Sequence, residues 1–269
     1  SNELLSLLAV KNPVYLGKVE SDNLALDFDV LKDYLLVCVE HQDEKERFVK
    51  NLLPQILSSS GKVVVFDLLG QYTFGNKLTA GVDFKLPLNY ETINFIYEKG
   101  LTDASGETKA LIQEIFIEVQ NYVKEIPDKY IPFDNFKSVV DSQYEETQLN
   151  ELVLLKNKLL KYYEQGVFAQ DKSEFEALTK LLINSSLTVI DLSKFDGVLQ
   201  REVVSYVYSQ MKDLGIDYIS FIDVDDENTD KKLLKQVFLT KNVYSVVITP
   251  YRYKYLKEIK QLSKNMLLY

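Results

Sequence analysis

Three groups of residues in this chain have the types and spacing to do chemistry. Asp67 and Asp223 close the apolar runs Val63–Phe66 and Tyr218–Ile222. Ligands of an α/β sheet gather at the carboxyl ends of its strands, and an aspartate standing there can hold Mg2+ through water. The second group lies in the stretch LLVCVEHQDEKERFVKNLL, from Leu35 to Leu53. It is an apolar run, a polar turn over Glu40–Glu44, then a helix with Phe48, Leu52 and Leu53 at helical spacing. A strand, loop and helix of this kind cradles phosphates when the loop carries G-x-x-x-x-G-K-[ST]. Here Glu40 and Lys45 stand in place of the glycines, Glu46 of the lysine and Arg47 of the hydroxyl. The third group is Pro250-Tyr251-Arg252-Tyr253-Lys254-Tyr255-Leu256-Lys257, whose interleaved aromatic and basic residues suit stacking and phosphate contact on a single nucleic-acid strand.

Each group also has a plainer reading. Asp67 can cap a turn that Gly70 permits. Asp223 opens an acidic cluster with Asp225, Asp226, Glu227 and Asp230, which serves equally as a solvated loop capping a helix over 230–239. The cluster is no EF-hand, because Asn228 replaces the glycine and Leu234 the closing glutamate. Val224 stands where an acid beside a Walker-B aspartate would polarise water. Lys45, Glu46 and Arg47 read as the exposed first turn of a helix, where surrounding acids repel a nucleotide. Tyr251, Arg252, Tyr253 and Lys254 fit an amphipathic helix start with core tyrosines and snorkelling lysines.

The elements that must position these residues follow from pattern. Residues 13–31 read as an antiparallel hairpin, half-buried by alternation. From Leu35 onward, continuous apolar runs alternate with helices, the pattern of a parallel sheet covered on both faces. The runs are Leu35–Val39, Val63–Phe66, Leu187–Ile190, Tyr218–Ile222 and Val243–Ile248. The clearest helix spans 198–214, with Leu199, Val203, Val207, Met211 and Leu214 on one face and Gly215 to end it. Between 102 and 184 the strands stop, and helical patterns from Ser105, over 148–164 and over 173–184 predict a helical insertion within one α/β domain covering 1–269.

A chain of 269 residues that is 46% hydrophobic can bury a large core. Its one cysteine, Cys38, and one histidine, His41, leave no disulfide and no His/Cys set for zinc or a nucleophile–base pair. The expectation is a cytoplasmic protein with no membrane span, since no apolar run approaches ~18 residues. A net charge of -9 argues against autonomous DNA binding, and only Arg47, Arg201 and Arg252 are arginines.

Taken in order, these motifs resemble the HerA-type ATPases of the FtsK/HerA branch of P-loop motors. The match rests on Val49-Lys50-Asn51-Leu52-Leu53 ending the first helix, and on Asp67, Gly70 and Tyr72 of a D-x-x-G-E-Y motif with Gln71 for the acid. It continues in Thr188–Ser193 as TVIDLS, in Gln200-Arg201, and in Thr249-Pro250 where the family has T-Q. The resemblance implies a RecA-like fold, and a family activity of ATP-driven DNA translocation. The departures fall on the chemistry, so the expectation is a pseudo-ATPase. It would be a structural or regulatory subunit that works through protein partners and meets DNA only within a complex. No cofactor is expected, although ATP and Mg2+ are not excluded, and a homo-oligomer is left open. The alternatives are a divergent ATPase using Asp223 and Asp67 for Mg2+ with Lys45 or Arg47 on phosphate, or a single-strand binding module.

Overall fold

The computed structural model describes residues 12–19, 22–32, 34–59, 61–89, 92–93, 106–122, 131–224, 231–250, 252–262 and 265–268. Glu20 and Ser21 of the expected turn, Ser105, Tyr251 and the acids Asp225, Asp226, Glu227 and Asp230 lie outside them. In chain order the elements are β1 (Pro13–Val19), β2 (Asp22–Asp27), α1 (Phe28–Leu31), β3 (Leu35–Cys38), α2 (Gln42–Ser58), β4 (Lys62–Asp67) and β5 (Asn76–Thr79). Helices α3 (Gly106–Tyr122), α4 (Phe133–Thr147), α5 (Asn150–Glu164) and α6 (Lys172–Asn184) follow. The chain continues through β6 (Leu187–Asp191), α7 (Gly197–Leu214), β7 (Tyr218–Asp223), α8 (Lys231–Leu239), β8 (Val243–Thr249), α9 (Leu256–Leu262) and β9 (Asn265–Leu268). Two compact units result, one of Ser1–Leu78 with Leu181–Tyr269 and one of Thr79–Lys180.

The first unit holds the hairpin and a seven-stranded sheet in the order β5-β6-β4-β7-β8-β3-β9. The pairings β3–β8, β3–β9, β4–β6, β4–β7 and β7–β8 are all parallel, which explains why the central strands are buried along their length. Two expectations need correction. The hairpin ends at Asp27, not at 31, because the Asp27 carboxylate accepts the Asp29 amide at 3.1 Å and turns Phe28–Leu31 into a helical turn. The polar turn after β3 is likewise shorter than its sequence suggests, because α2 already begins at Gln42. Asp43 and Glu44 in its first turn favour that start through the helix dipole.

Right-handed crossovers decide which face each helix covers. From β3 to β4 the chain moves one way along the sheet, and from β6 to β7, β7 to β8 and β8 to β9 it moves the other way. Helix α2 therefore covers one face, and α7, α8 and α9 the opposite one. On the α2 face, Phe48, Leu52 and Ile56 pack with Leu35, Val37, Val65, Phe221 and Val246 and with Val14 and Leu16 of the hairpin. The Gln55 side chain accepts the Tyr15 amide at 2.7 Å and donates to the Tyr15 carbonyl at 2.8 Å, so it pairs with β1 as a neighbouring strand would. On the other face, the buried Tyr208 hydroxyl of α7 meets Ser220 Oγ at 2.6 Å and Ser245 Oγ at 2.9 Å, which satisfies the polar groups that β7 and β8 bury there. Lys62 closes the carboxyl end of α6, donating to the carbonyls of Ile183 at 2.6 Å and Ser185 at 3.0 Å.

The second unit is mainly helical. Phe133 of α4 stacks on Tyr163 of α5 at 4.4 Å between ring centroids, and Leu152, Leu155, Leu159 and Tyr162 turn the buried face of α5 inward. Bridges Ala80↔Phe84 and Leu86↔Phe168 tie residues 80–86 to it, so this unit begins before the helical stretch expected from 102. Among the described residues no helix is long and apolar enough to cross a membrane.

Candidate functional site at the carboxyl edge of the sheet

Because the paired central strands are parallel, Val39, Asp67, Asp191, Asp223 and Thr249 all come to one edge. The connections leaving β3 and β8 go to opposite faces, so the gap between these neighbours is the switch point at which open α/β sheets bind ligands. Glu40 and His41 from one side and Pro250 and Arg252 from the other follow the strand ends there.

The loop at that point is tight. Val39 still donates to the Thr249 carbonyl at 3.0 Å, and helical residues begin at Gln42, which leaves Glu40 and His41 between. The amides of Glu44 and Lys45 already bond the His41 carbonyl, each at 3.2 Å. The positions that match a phosphate loop, Lys45, Glu46 and Arg47, are thus wound into helix. Of these, Arg47 is exposed and Glu46 pairs with Lys50 one turn on. Lys45 departs from the exposed role read for it: its ammonium lies 3.9 Å from the Asp223 carboxylate, with both side chains 14% exposed. A protein cation therefore stands beside the Walker-B position.

Asp67 is committed more deeply. It is 1% exposed, and its two oxygens accept the amides of Gln71 at 3.0 Å and Tyr72 at 2.9 Å. It is paired in register with Asp191 on β6, whose Oδ1 accepts the Ser193 amide at 3.0 Å and hydroxyl at 2.7 Å. Lys77 of β5 reaches both acids, at 3.2 Å from Asp191 and 3.9 Å from Asp67. The DLLGQY and TVIDLS motifs thus dock on one another. Sequence reading found both motifs without their contact. The signal available was that each places an aspartate at the end of its strand and a tight turn just after it. Lys77 carried no signal, because β5 has only Leu78 as a buried apolar residue.

Tyr72 links the two regions. Burial raises its hydroxyl pKa well above the ordinary range, and the carboxylates of Asp223, Asp67 and Glu46 add to it in that order. All three carboxylates thus act on one buried tyrosine, whose amide also donates to Asp67. Among the described residues no group of three or more His, Cys, Asp or Glu side chains is arranged to hold a metal ion. Near the C-terminus, Tyr253 is 4% exposed and meets Tyr255 edge-on at 5.7 Å, whereas Arg252 and Lys254 are exposed.

The Asp191 carboxyl shows how the docked motifs respond to pH. Burial pushes its pKa up, but the Ser193 hydroxyl and amide, with Lys77, outweigh burial and hold it below the usual value. A depressed folded pKa gives stability that is complete above the unfolded value of about 4 and is lost as pH falls through the folded one. Lys77→Met should raise the folded pKa toward the unfolded one, so the variant should be less stable than the wild type above about pH 4, and the gap should narrow as pH falls below it. Urea midpoints between about pH 3 and 7 test this. A constant offset at every pH would mean that Lys77 acts only through packing.

No protein-family model and no curated protein sequence matches the chain. Solved structures do match its fold. VirB4 of Thermoanaerobacter pseudethanolicus is similar at TM-score 0.69 and 15% identity, over 96% of this chain and 84% of that one. The bacterial conjugative coupling protein TrwB, in a trigonal form with sulphate, is similar at TM-score 0.59 and 13% identity, over 100% of this chain and 77% of that one. TrwB in complex with ADP and Mg2+ is similar at TM-score 0.54 and 12% identity, over 90% and 71%. This chain is a RecA-like α/β protein with the fold of P-loop ATPases.

Proposed function

We propose that this chain is a non-hydrolysing relative of the P-loop motors, acting as a structural or regulatory subunit in a DNA-processing or translocation assembly. It works in the cytoplasm through protein partners. The observation that carries this reading is the β3–α2 junction: two residues separate a strand-paired Val39 from helix, and the anion-cradling backbone is closed into that helix. A phosphate there would also face Asp43 and Glu44 of the same turn. The Lys45–Asp223 pair supports the same reading, since Asp223 already has a cation beside it. The link to DNA transfer rests on the likeness in fold to VirB4 and to the conjugative coupling protein, which is an argument by analogy.

Thermal unfolding with and without Mg·ATP tests it. A ligand that binds only the folded state stabilises by RT ln(1 + [L]/Kd), so ~1 mM nucleotide on a ~10 μM site would add about 2.7 kcal/mol. We expect no shift with ATP or ADP. A magnesium-dependent rise that Asp223→Ala abolishes would overturn the reading in favour of a divergent ATPase built on Asp223, Asp67 and Lys45.

A further inference from the structure

Helix α3 carries more apolar surface than the fold covers. Ile112 and Ile115 are buried, but Ile117 is 47% exposed. At 3.6 residues per turn, Ile117 lies about 200° round the helix from Ile115, on the opposite side. A helix that is apolar on both sides is ordinarily covered on both. Glu114, Ile117, Glu118 and Asn121 stand at the i, i+3, i+4 and i+7 spacing of one helix face, and they line a groove of about 460 Å3. All four are exposed. Among the described residues the lining comes from α3 alone, so the groove offers a flank for another element to lie along. The charge around it is mainly negative. Helix α3 has one basic residue, Lys109, against Glu107, Glu114 and Glu118. Gln143 donates to the Glu118 carboxylate at 3.5 Å, which brings the last turns of α4 close, with Glu145 and Glu146 exposed there. The unit Thr79–Lys180 holds eighteen acidic residues against eleven basic ones, whereas the rest of the chain is close to balance.

We propose that this face of α3 is a docking site for a basic amphipathic helix of a partner protein. Ile117 meets an apolar side chain of that helix, and Glu114 and Glu118 meet lysines or arginines flanking it. The spacing decides for a helix. Glu114 and Glu118 are one turn apart, about 6 Å along the axis, which matches basic residues at i and i+4 on a helix lying alongside. An apolar anchor within a charged surround is also how a groove holds an amphipathic helix. The charge decides the sign of the partner, because an acidic segment would set like charges against Glu114 and Glu118. Exposed ion pairs contribute little each, so affinity comes from the contact at Ile117 and selectivity from the glutamates. Docking here deepens the reading of a subunit that works through protein partners, on which it rests. It involves no nucleotide and no residue of the carboxyl edge, so its failure and a failure in the thermal-shift test are separate results.

The test is fluorescence anisotropy with a labelled 18-residue model helix of leucine and lysine, its lysines at i and i+4 flanking a leucine stripe. A matching helix of leucine and glutamate is the control. The full chain should bind the lysine helix at micromolar concentration and the glutamate helix not at all. Ile117→Ser should weaken binding about tenfold. Glu114→Gln/Glu118→Gln should weaken it about fivefold at 50 mM salt and about twofold or less at 500 mM, where exposed charges are screened. All three residues are exposed, so the variants should melt with the wild type. Should Ile117→Ser not fold, Ile117→Ala replaces it and must also weaken binding. No binding of the lysine helix, equal binding of the two helices, or unchanged affinity in either variant would each overturn the proposal. Self-association of the chain that Ile117→Ser abolishes would overturn it in favour of a second copy as the occupant.

Discussion

Asp67→Ala is expected to destabilise the protein by about 3 kcal/mol, read as a lower urea midpoint with the slope unchanged. The carboxylate is 1% exposed and is the acceptor for two backbone amides, those of Gln71 and Tyr72. Truncation leaves both donors without that acceptor, and each unsatisfied buried donor costs about 1–3 kcal/mol. One effect opposes this: Asp191 lies beside Asp67 in register, and removing one of two neighbouring acids relieves repulsion. Lys77 lies close to both acids, so that relief is small beside the loss of two charge-assisted bonds. Asp67→Asn should lose about half as much, because it keeps one carbonyl acceptor but sets an amide donor against an amide. The alternative makes the opposite forecast. An aspartate held in place for a metal or a substrate is a local burden on the empty protein, and its removal is neutral or stabilising. An alanine variant as stable as the wild type would therefore return Asp67 to the metal candidates.

The fold was legible in sequence where one physical rule dominated. Strands β3, β4, β6, β7 and β8 are buried on both faces, so each shows as an unbroken apolar run. Strands β5 and β9 were not foreseen. They lie at the two edges of the sheet, each is four residues long, and such strands carry little periodic signal. The helical turn at Phe28 hid within an alternating pattern because a single side chain, Asp27, decides it.

The site was legible as a set of motifs and illegible as contacts. That glycines are missing from the β3–α2 junction is plain in Glu40, Lys45, Glu46 and Arg47. That the helix then absorbs most of the loop depends on hydrogen bonds to the His41 carbonyl, which no residue type announces. Lys45 was read as exposed because its neighbours in sequence are charged. Its partner is Asp223, brought to it only by the sheet order that places β8 between β3 and β7. Chemistry-bearing residues reveal themselves by type, whereas their pairing is set by topology.

Gly70→Ala is expected to cost about 2–4 kcal/mol, far more than the same change at Gly215, and the comparison isolates the reason. Both glycines have a left-handed backbone, φ +72° at Gly70 and φ +65° at Gly215. An L-residue pays about 1–2 kcal/mol in that region. A Cβ at Gly215 meets nothing within 4 Å, so the backbone term is all that Gly215→Ala should show. A Cβ at Gly70 falls 2.9 Å from Ser193 Oγ and 3.1 Å from Ser193 Cβ. Ser193 cannot withdraw without cost, because its hydroxyl and amide are the bonds that hold the Asp191 carboxylate. The strain thus passes from the DLLGQY turn into the DLS turn. A double-mutant cycle measures that passage: in a Ser193→Gly background, Gly70→Ala should cost only about as much as Gly215→Ala, leaving a coupling of about 1–2 kcal/mol. Equal costs for Gly70→Ala in both backgrounds would mean that the two motifs are neighbours without being coupled. The docking of the strand ends would then be a by-product of the sheet.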